Sequence, residues 1–221
     1  KLGSYNLKRK VIFMHFAQRL DNVETSAIRE LFKLLGKPGI ISFAGGFPDS
    51  AMFDVDGITQ SSQKALQENA GMALQYGATE GFGPLREQLA AFMATKGAKD
   101  VAPEQLIVTT GSQQALDLLG KCMVSPGDKV IVEGPTFLAT IQCFRLYGAE
   151  VISAPVDGNG VIVEALEKLI AEHQPKLVYL IPTFGNPSGA TLSLERRKRV
   201  LELAVKYQTL VVEDDPYGDL Y

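Results

Sequence analysis

From residue 104 onward, apolar runs and helical patterns alternate along the chain. The apolar runs predict strands at 106–110, 128–132, 149–153, 177–181 and 209–213. Apolar residues three and four positions apart predict helices between these strands, at 112–124, 136–147, 162–173 and 193–207. Such alternation is typical of a mostly parallel sheet with helices on both faces. The pattern therefore predicts an α/β fold.

The first third of the chain has a less regular pattern. Apolar residues at helical spacing predict helices at 22–36 and 57–70, and a further helix begins at Pro84. We expect residues 1–37 to form an N-terminal arm and helix, and residues 38–221 to form one continuous domain. A targeting signal is disfavoured, because no small-residue cleavage site follows the short apolar run near the N-terminus.

Composition and charge exclude several classes of function. The 221 residues are 46% hydrophobic and 21% charged, which is ordinary for a globular protein. A net charge of -3 provides no basic surface for nucleic acid and no attraction to an anionic membrane. No apolar run reaches the length of a membrane span. Cys122 and Cys143 are isolated and lack CxxC spacing, which favours a reducing, cytoplasmic location.

A glycine at a predicted strand end opens the helix predicted at 112–124. Gly111 lets the backbone approach a ligand, and Ser112 can add a hydroxyl to the free N–H groups of the helix N-terminus. Such a terminus binds phosphate, because its N–H groups and its dipole both favour an anion. The alternative is an ordinary helix cap, which a Gly-Ser pair at a strand–helix junction usually forms.

Two aromatic residues adjoin predicted loops. Phe137 follows the strand predicted at 128–132, and its ring could lie flat on a planar cofactor. The alternative is that Phe137 belongs to the core and that the glycine and proline before it only make a turn. Tyr76 lies in a glycine-containing loop before a helix, a position that by itself indicates no more than a loop.

The segment Pro182–Gly189 contains two prolines and two glycines, which favour an ordered, non-helical loop. Within it, the side-chain amide of Asn186 could donate a hydrogen bond to a phenolate oxygen. An Asx turn is equally compatible with the sequence, and in it the side chain bonds to its own backbone.

Three consecutive carboxylates, Glu213, Asp214 and Asp215, end the last predicted strand. Carboxylates in this position are costly unless a cation pairs with one of them. A pyridinium nitrogen is such a cation, and Tyr217 can reach back to an oxygen on the same ring. The alternatives are a magnesium or calcium site, or a solvated acidic loop. A metal is disfavoured, because the sequence contains no further cluster of ligating residues.

Asn186 and Asp214 are separated by one predicted helix and one strand, the length of a crossover in a parallel sheet. We therefore expect them at the carboxyl ends of two nearby strands, where open α/β sheets bind ligands. An amide, an acid and a phenol in one pocket suit an aromatic cofactor with a ring nitrogen and a phenolate oxygen. These residues favour pyridoxal phosphate.

In this order, the motifs resemble the fold-type I pyridoxal phosphate enzymes of the aspartate aminotransferase superfamily. The chain is most similar to the branch that contains the 2-aminoadipate and kynurenine transaminases and the transaminase-like domains of MocR regulators. The resemblance extends from about Ala27 to the end of the chain. It rests on the motifs Phe43–Pro48, Tyr76–Gly77, Gly111–Ala115, Glu133–Phe137, Asn186–Gly189 and Glu213–Tyr217.

The resemblance implies a set of cofactor contacts. The implied contacts are Gly111, Ser112 and Gln113 at the phosphate, Phe137 on the ring face, Asn186 and Tyr217 at the ring oxygen, and Asp214 at the ring nitrogen. The implied catalytic residues are Asp214, Tyr217 and Asn186. Relatives often carry tyrosine where this chain has Phe137, so the hydroxyl contact of that tyrosine is absent here.

The resemblance also implies a homodimer with shared active sites, in which Tyr76 reaches the phosphate of the neighbouring subunit. Gly45 and Gly46 would line the substrate mouth together with Asn186. The implied substrates are an amino acid and a 2-oxo acid, and no nucleic acid, membrane or metal partner is expected.

The activity implied by the resemblance is transamination in amino acid metabolism. The family's Schiff-base lysine follows the aspartate by a few tens of residues and would lie beyond Tyr221. We therefore expect residues 1–221 to be an N-terminal portion that is inactive alone. The alternatives are a pyridoxal phosphate-dependent lyase or decarboxylase, a MocR-type regulator without turnover, and a natural half-protein without catalytic activity. The regulator is disfavoured, because residues 1–26 are too short for a winged-helix domain.

Overall fold

The computed structural model describes residues 16–20, 41 and 48–220. The helix predicted at 22–36 and the two glycines expected at the substrate mouth, Gly45 and Gly46, lie outside the described residues. None of the described helices is long and apolar enough to cross a bilayer. The cytoplasmic location stays a prediction.

The chain divides into two compact units, one drawn from Glu24–Thr110 and the other from Lys1–Val23 and Gly111–Tyr221. The first unit contains helices α1 (Val55–Ala73) and α2 (Gly83–Thr95), which confirm the two helices predicted there. An aspartate side chain caps the start of α1, and a proline lies in the first turn of α2. The boundary predicted at residue 37 stays a prediction.

The strand predicted at 106–110 is not formed. The backbone there is extended, with φ -107° and ψ 137° at Leu106. Val108 donates its N–H to the carbonyl oxygen of Glu80 in a preceding turn, over 2.9 Å, instead of to a neighbouring strand. An extended segment becomes a strand only when a second strand supplies a ladder of hydrogen bonds. An apolar run does not identify that second strand, so the prediction was wrong.

The second unit is built on a five-stranded sheet in the order β3-β2-β1-β4-β5. The strands are β1 (Lys129–Gly134), β2 (Glu150–Asp157), β3 (Gly160–Val161), β4 (Leu177–Leu180) and β5 (Leu210–Glu213). The helices are α3 (Ser112–Met123), α4 (Leu138–Leu146), α5 (Val163–His173) and α6 (Leu194–Tyr207). All of the elements predicted after residue 111 are confirmed, and β3 is an addition.

The sheet is mostly parallel, as the sequence predicts. The central strand β1 runs parallel to β2 and β4, and β5 runs parallel to β4. The exception is β3, which folds back on β2 in a hairpin that pairs Val156 with Val161. A strand of two residues is too short to produce a periodic pattern, so sequence analysis missed it.

Helices cover both faces of the sheet, and successive strand residues alternate between the two faces. On one face, Val130 and Val132 of β1 pack with Leu116 of α3 and Phe144 of α4. On the other face, residues of β1 and β4 pack with α5 and α6, among them Ile131, Val178, Leu166 and Leu203. The predicted three-layer α/β architecture is confirmed.

The strand order creates a switch point between β1 and β4. The chain leaves β1 through α4, which packs on one face of the sheet, and leaves β4 through α6, which packs on the other. The two connections therefore diverge and leave a crevice outside the carboxyl ends of these strands. Ligands of open α/β sheets bind in such a crevice.

Candidate active site

The carboxyl ends of β1, β4 and β5 are joined to one another by hydrogen bonds. Glu133, near the end of β1, accepts a hydrogen bond at Oε2 from the backbone N–H of Ile181, over 2.8 Å. Asp214, directly after β5, donates its backbone N–H to the carbonyl oxygen of Leu180, over 2.9 Å. These bonds hold the starts of the loops after β1, β4 and β5 next to one another at the switch point.

Asp214 is oriented by a buried tyrosine. The hydroxyl of Tyr179, in β4, donates to Oδ2 of Asp214 over 2.5 Å, and the Tyr179 side chain is fully buried. Burial first, and the Asp214 carboxylate second, raise the pKa of the Tyr179 hydroxyl, so it remains protonated and acts as a donor. Among the described residues, no hydrogen-bond donor reaches the second oxygen of Asp214, Oδ1. This oxygen is available to a ligand.

Glu133 is a second acid at the switch point, and unlike Asp214 it is buried. It is 6% exposed, and burial raises the pKa of its carboxyl above the ordinary value, while the N–H of Ile181 partly offsets that effect. Sequence analysis assigned Glu133 no role of its own. The signal was a carboxylate at the end of a run of apolar strand residues, which is costly without a partner.

The loop that carries Asn186 is held by its own hydrogen bonds. Gly185 donates its N–H to Ala190 over 2.9 Å, and Phe184 donates to the Thr191 hydroxyl over 3.2 Å. Within the described part of the chain, the Asn186 side chain makes no bond of the Asx type, and Ser188 Oγ instead accepts from the N–H of Ala190. The amide is therefore available to a ligand.

Asn186 and Tyr217 face the same space. Both line an open depression of about 310 Å³ between the loop after β4 and the loop after β5. The other residues that line it are Phe184, Gly185, Pro187, Gly189 and Leu220. The sequence predicted that an amide and a phenol would meet here, and the structure brings them together.

Arg197, on α6, braces this site, and sequence analysis missed it. Its Nε donates to the carbonyl oxygen of Leu192 over 2.9 Å, and its Nη2 donates to Pro182 over 2.8 Å. Nη2 also donates to the Thr183 hydroxyl over 2.9 Å, and Nη1 lies 3.6 Å from Oε1 of Glu213. One guanidinium therefore holds both ends of the Asn186 loop and reaches the end of β5. An arginine beside a second arginine in a first helical turn gave no local signal of this role.

The N-terminus of α3 is the candidate phosphate site. Gly111 is the N-cap residue with φ +88°, a left-handed conformation that favours glycine. A Cβ at Gly111 would meet no atom within 4 Å, so the need for glycine here is conformational. Ser112 and Gln113 are exposed, and Leu116, one turn further along, packs in the same cluster as Tyr179.

The two aromatic candidates have different surroundings. Phe137 is the N-cap residue of α4, is half-buried and packs against the cluster between the sheet and helices α3 and α4. Core packing accounts for part of its ring, and the remainder is open to a ligand. Tyr76 belongs to the other unit, and its side chain is 99% exposed.

The donor set fits a planar heteroaromatic phosphate better than a metal ion. Across residues 48–220, no group of three or more His, Cys, Asp or Glu side chains is placed to hold a metal. The candidate residues instead offer a carboxylate oxygen of Asp214, the amide of Asn186, the phenol of Tyr217 and the N–H groups at the start of α3. These groups match a protonated ring nitrogen, a ring oxygen and a phosphate.

Comparison with known sequences gives a consistent result. The family model described as aminotransferase class I and II matches residues 40–221. Aromatic-amino-acid aminotransferase 1 of Thermococcus litoralis is 43% identical over 211 residues, which cover 93% of this chain and 51% of that protein. The 2-aminoadipate transaminase of Thermus thermophilus is 40% identical over 206 residues, covering 93% and 50%. The chain thus spans about half the length of the curated relatives it matches.

Solved structures support the fold. The kynurenine aminotransferase of Pyrococcus horikoshii, solved in complex with PMP, matches with a TM-score of 0.84 at 42% identity, over 91% of this chain and 51% of that one. LysN, the alpha-aminoadipate aminotransferase of Thermus thermophilus solved with N-(5'-phosphopyridoxyl)-L-leucine, matches with a TM-score of 0.80 at 39% identity, over 90% and 49%.

Proposed function

Because the chain belongs to the class I and II aminotransferases, we propose that the full-length protein transfers an amino group from an amino acid to a 2-oxo acid, with pyridoxal 5'-phosphate as cofactor. One observation carries the proposal. The Asp214 carboxylate is held at the end of β5 by Tyr179, over 2.5 Å, and lies next to the strand that leads into the Asn186 loop.

Asp214 is the residue that we assign to the ring nitrogen. Pyridoxal phosphate, when bound, supplies an electron sink whose strength depends on protonation of that nitrogen. A carboxylate beside the nitrogen favours its protonated, positively charged form. The free Oδ1 of Asp214 provides this carboxylate, while Oδ2 is already bonded to Tyr179.

Asn186 and Tyr217 are assigned to the ring oxygen. Both line the depression beside Asp214's loop, and both side chains can donate a hydrogen bond. Two donors at one oxygen favour its anionic form and restrict rotation of the ring in its own plane. We assign Asn186 a second role at the substrate mouth, together with Gly45 and Gly46.

The phosphate and the ring face are assigned to the elements before and after β1. The N-terminus of α3 offers its N–H groups with the exposed side chains of Ser112 and Gln113. The open part of the half-buried Phe137 ring would stack on the cofactor. Gly111 contributes the backbone conformation that lets α3 begin there.

We also propose that the full-length protein is a homodimer with shared active sites. The support is Tyr76, whose side chain is 99% exposed and can therefore contact a second subunit. Its hydroxyl would donate to the phosphate bound in the neighbouring subunit.

The proposal is tested with the full-length protein and pyridoxal phosphate. We expect a visible absorption band that an amino acid bleaches and a 2-oxo acid restores, with one amino acid product formed per 2-oxo acid consumed. The matched control is the same mixture without the 2-oxo acid, which should stop after one half-reaction per site.

Other outcomes separate the alternatives. Sustained release of ammonia would indicate a lyase, and sustained release of carbon dioxide would indicate a decarboxylase. A stable band that no amino acid changes would favour a regulatory module. Absence of any band at saturating cofactor would contradict the proposal itself.

A further inference from the structure

We propose that Tyr179 is a positioning residue for the cofactor: its hydroxyl fixes one oxygen of Asp214 so that the other oxygen is directed at the ring nitrogen. This inference rests on the proposed function. Tyr179 lies inside the sheet and is not one of the residues that we assign to contact the cofactor.

The backbone of Tyr179 is held between two neighbouring strands. In the register of the sheet it pairs with Val132 on one side and with Val212 on the other. A residue bonded between two strands keeps its side chain in a fixed direction. The Tyr179 hydroxyl therefore occupies a defined point at the carboxyl end of the sheet.

The ring of Tyr179 is fixed as firmly as its backbone. It is fully buried and meets the ring of Phe144 edge to face, with centroids 6.5 Å apart and planes at 71°. A buried hydroxyl without a hydrogen-bond partner is costly, and Asp214 accepts from the Tyr179 hydroxyl over 2.5 Å. Packing thus delivers a rigid donor to a carboxylate on a loop.

Because of this bond, the two oxygens of Asp214 have different roles. Oδ2 accepts from the phenol, which is a charge-assisted bond of the stronger kind. Rotation of the carboxylate would break this bond, so Oδ1 keeps one direction. We infer that without the phenol the carboxylate would rotate between several orientations and pair less strongly with a ring nitrogen.

The chain offers a matched control for this bond. The Tyr147 hydroxyl donates to Oδ1 of Asp117 over 2.7 Å, and this bond, together with burial and the Asp117 charge, raises the pKa of Tyr147 to about 12. It is the same pair of groups at a similar distance, with no assigned role at the cofactor. Tyr147→Phe therefore removes an equivalent hydrogen bond elsewhere in the unit.

The test compares Tyr179→Phe with Tyr147→Phe in the full-length holoenzyme. The first readout is the ¹⁵N chemical shift of ring-labelled pyridoxal phosphate, which reports protonation of the ring nitrogen. The second is the dissociation constant of the cofactor. We expect Tyr179→Phe to shift the ¹⁵N signal toward the unprotonated form and to raise the dissociation constant roughly tenfold, the size of one lost bond to a charged group. Tyr147→Phe should change neither.

The test is completed by adding Tyr179→Phe to an Asp214→Asn variant, a comparison that does not depend on the stability of the Tyr179→Phe variant. There the charge at the ring nitrogen is already lost, so adding Tyr179→Phe should change the ¹⁵N signal and the dissociation constant less than twofold. An unchanged signal in Tyr179→Phe, equal changes in both tyrosine variants, or full additivity with Asp214→Asn would each overturn the inference. If the unmodified protein binds no cofactor, the proposed function falls as well.

Discussion

At the scale of single residues, the site depends on polar groups placed where buried strands end. Burial and hydrogen bonding differ among the three polar residues Tyr179, Glu133 and Asp214. Tyr179 is buried and bonded to a carboxylate, and Glu133 is buried and bonded to a backbone N–H. Asp214 is half-buried and keeps one oxygen for a ligand. Their chemistry follows from these contacts more than from their residue type.

The two adjacent aspartates should differ in importance. We expect Asp214→Asn to lower kcat of the full-length protein by about a hundredfold, because an amide cannot stabilise a charged ring nitrogen. Asp215 is exposed, and Asp215→Asn should change kcat by less than about threefold. Steady-state kinetics with saturating cofactor measure both. Similar losses in the two variants would refute the assignment of Asp214.

Glu133 should affect stability through its acceptor and its charge. Glu133→Ala leaves the Ile181 N–H buried without an acceptor, so we expect the free energy of unfolding to fall by about 1–3 kcal/mol. Glu133→Gln keeps an acceptor oxygen and should cost less. Denaturant unfolding at neutral pH measures the difference, and equal losses would show that the hydrogen bond is unimportant.

The stability difference between the unmodified protein and Glu133→Gln should also depend on pH. Burial raises the pKa of Glu133 in the folded protein, so folding takes up a proton between the ordinary value of 4.5 and the raised value. The stability contributed by this group therefore falls as pH rises through that interval, and the penalty is complete above it. Relative to Glu133→Gln, the unmodified protein should lose stability as pH increases from about 4.5. A constant difference across pH would contradict the shift.

At the scale of elements, α6 both covers the sheet and braces the site. Ser193 caps this helix by accepting a bond from the Arg196 N–H, which fixes the first turn. The next residue, Arg197, can then reach both ends of the Asn186 loop. The helix start therefore determines the position of a loop that precedes it in the chain.

Neighbouring arginines on α6 should have separable effects. Arg197→Gln removes three hydrogen bonds to the loop ends, so we expect kcat/KM to fall by about tenfold and the free energy of unfolding to fall by about 2 kcal/mol. Arg196 instead pairs with Asp157 at 2.7 Å, at the β2–β3 hairpin. Arg196 bonds both oxygens of Asp157 and also donates to the carbonyl oxygens of Gly160 and Val161. Arg196→Gln should therefore lower the free energy of unfolding by about 2 kcal/mol as well, but leave the kinetics unchanged. Kinetic losses of equal size would contradict the brace.

Elements were easier to predict from the sequence than their partners. Periodicity located α3 to α6 and the strands between them, because burial on one face leaves a local pattern. It did not distinguish the extended run at 106–110 from a strand, because strand pairing depends on a distant segment. Tyr179 was missed for the same reason, since the acid that it meets lies 35 residues away. Local sequence indicates which residues are buried and where turns occur, but it contains little information about long-range polar pairs.

At the scale of the whole molecule, the described surface leaves much apolar area uncovered. Helix α1 buries none of its side chains within the described residues, although it carries Val55, Ile58, Leu66 and Met72. Large exposed apolar faces usually mark interaction surfaces. Together with Tyr76, this exposed face fits the homodimer that we propose.

Shared active sites can be tested by complementation. We expect Asp214→Asn and Tyr76→Ala each to inactivate the full-length homodimer almost completely. In a mixed dimer of the two variants, one site receives both substitutions and the other receives neither, provided that Tyr76 acts across the subunit boundary. Because a two-fold dimer has two equivalent sites, mixed dimers purified through two affinity tags should recover about half of the unmodified activity.

The same experiment identifies the opposite arrangement. If Tyr76 served the site of its own subunit, each site of the mixed dimer would carry one substitution, and the mixture would remain as inactive as its parents. The matched control is a mixed dimer of Asp214→Asn with Asn186→Ala, two substitutions that we assign to one subunit's own site. That pair should show no recovery, so recovery with Tyr76→Ala alone would establish that the phenol crosses the interface.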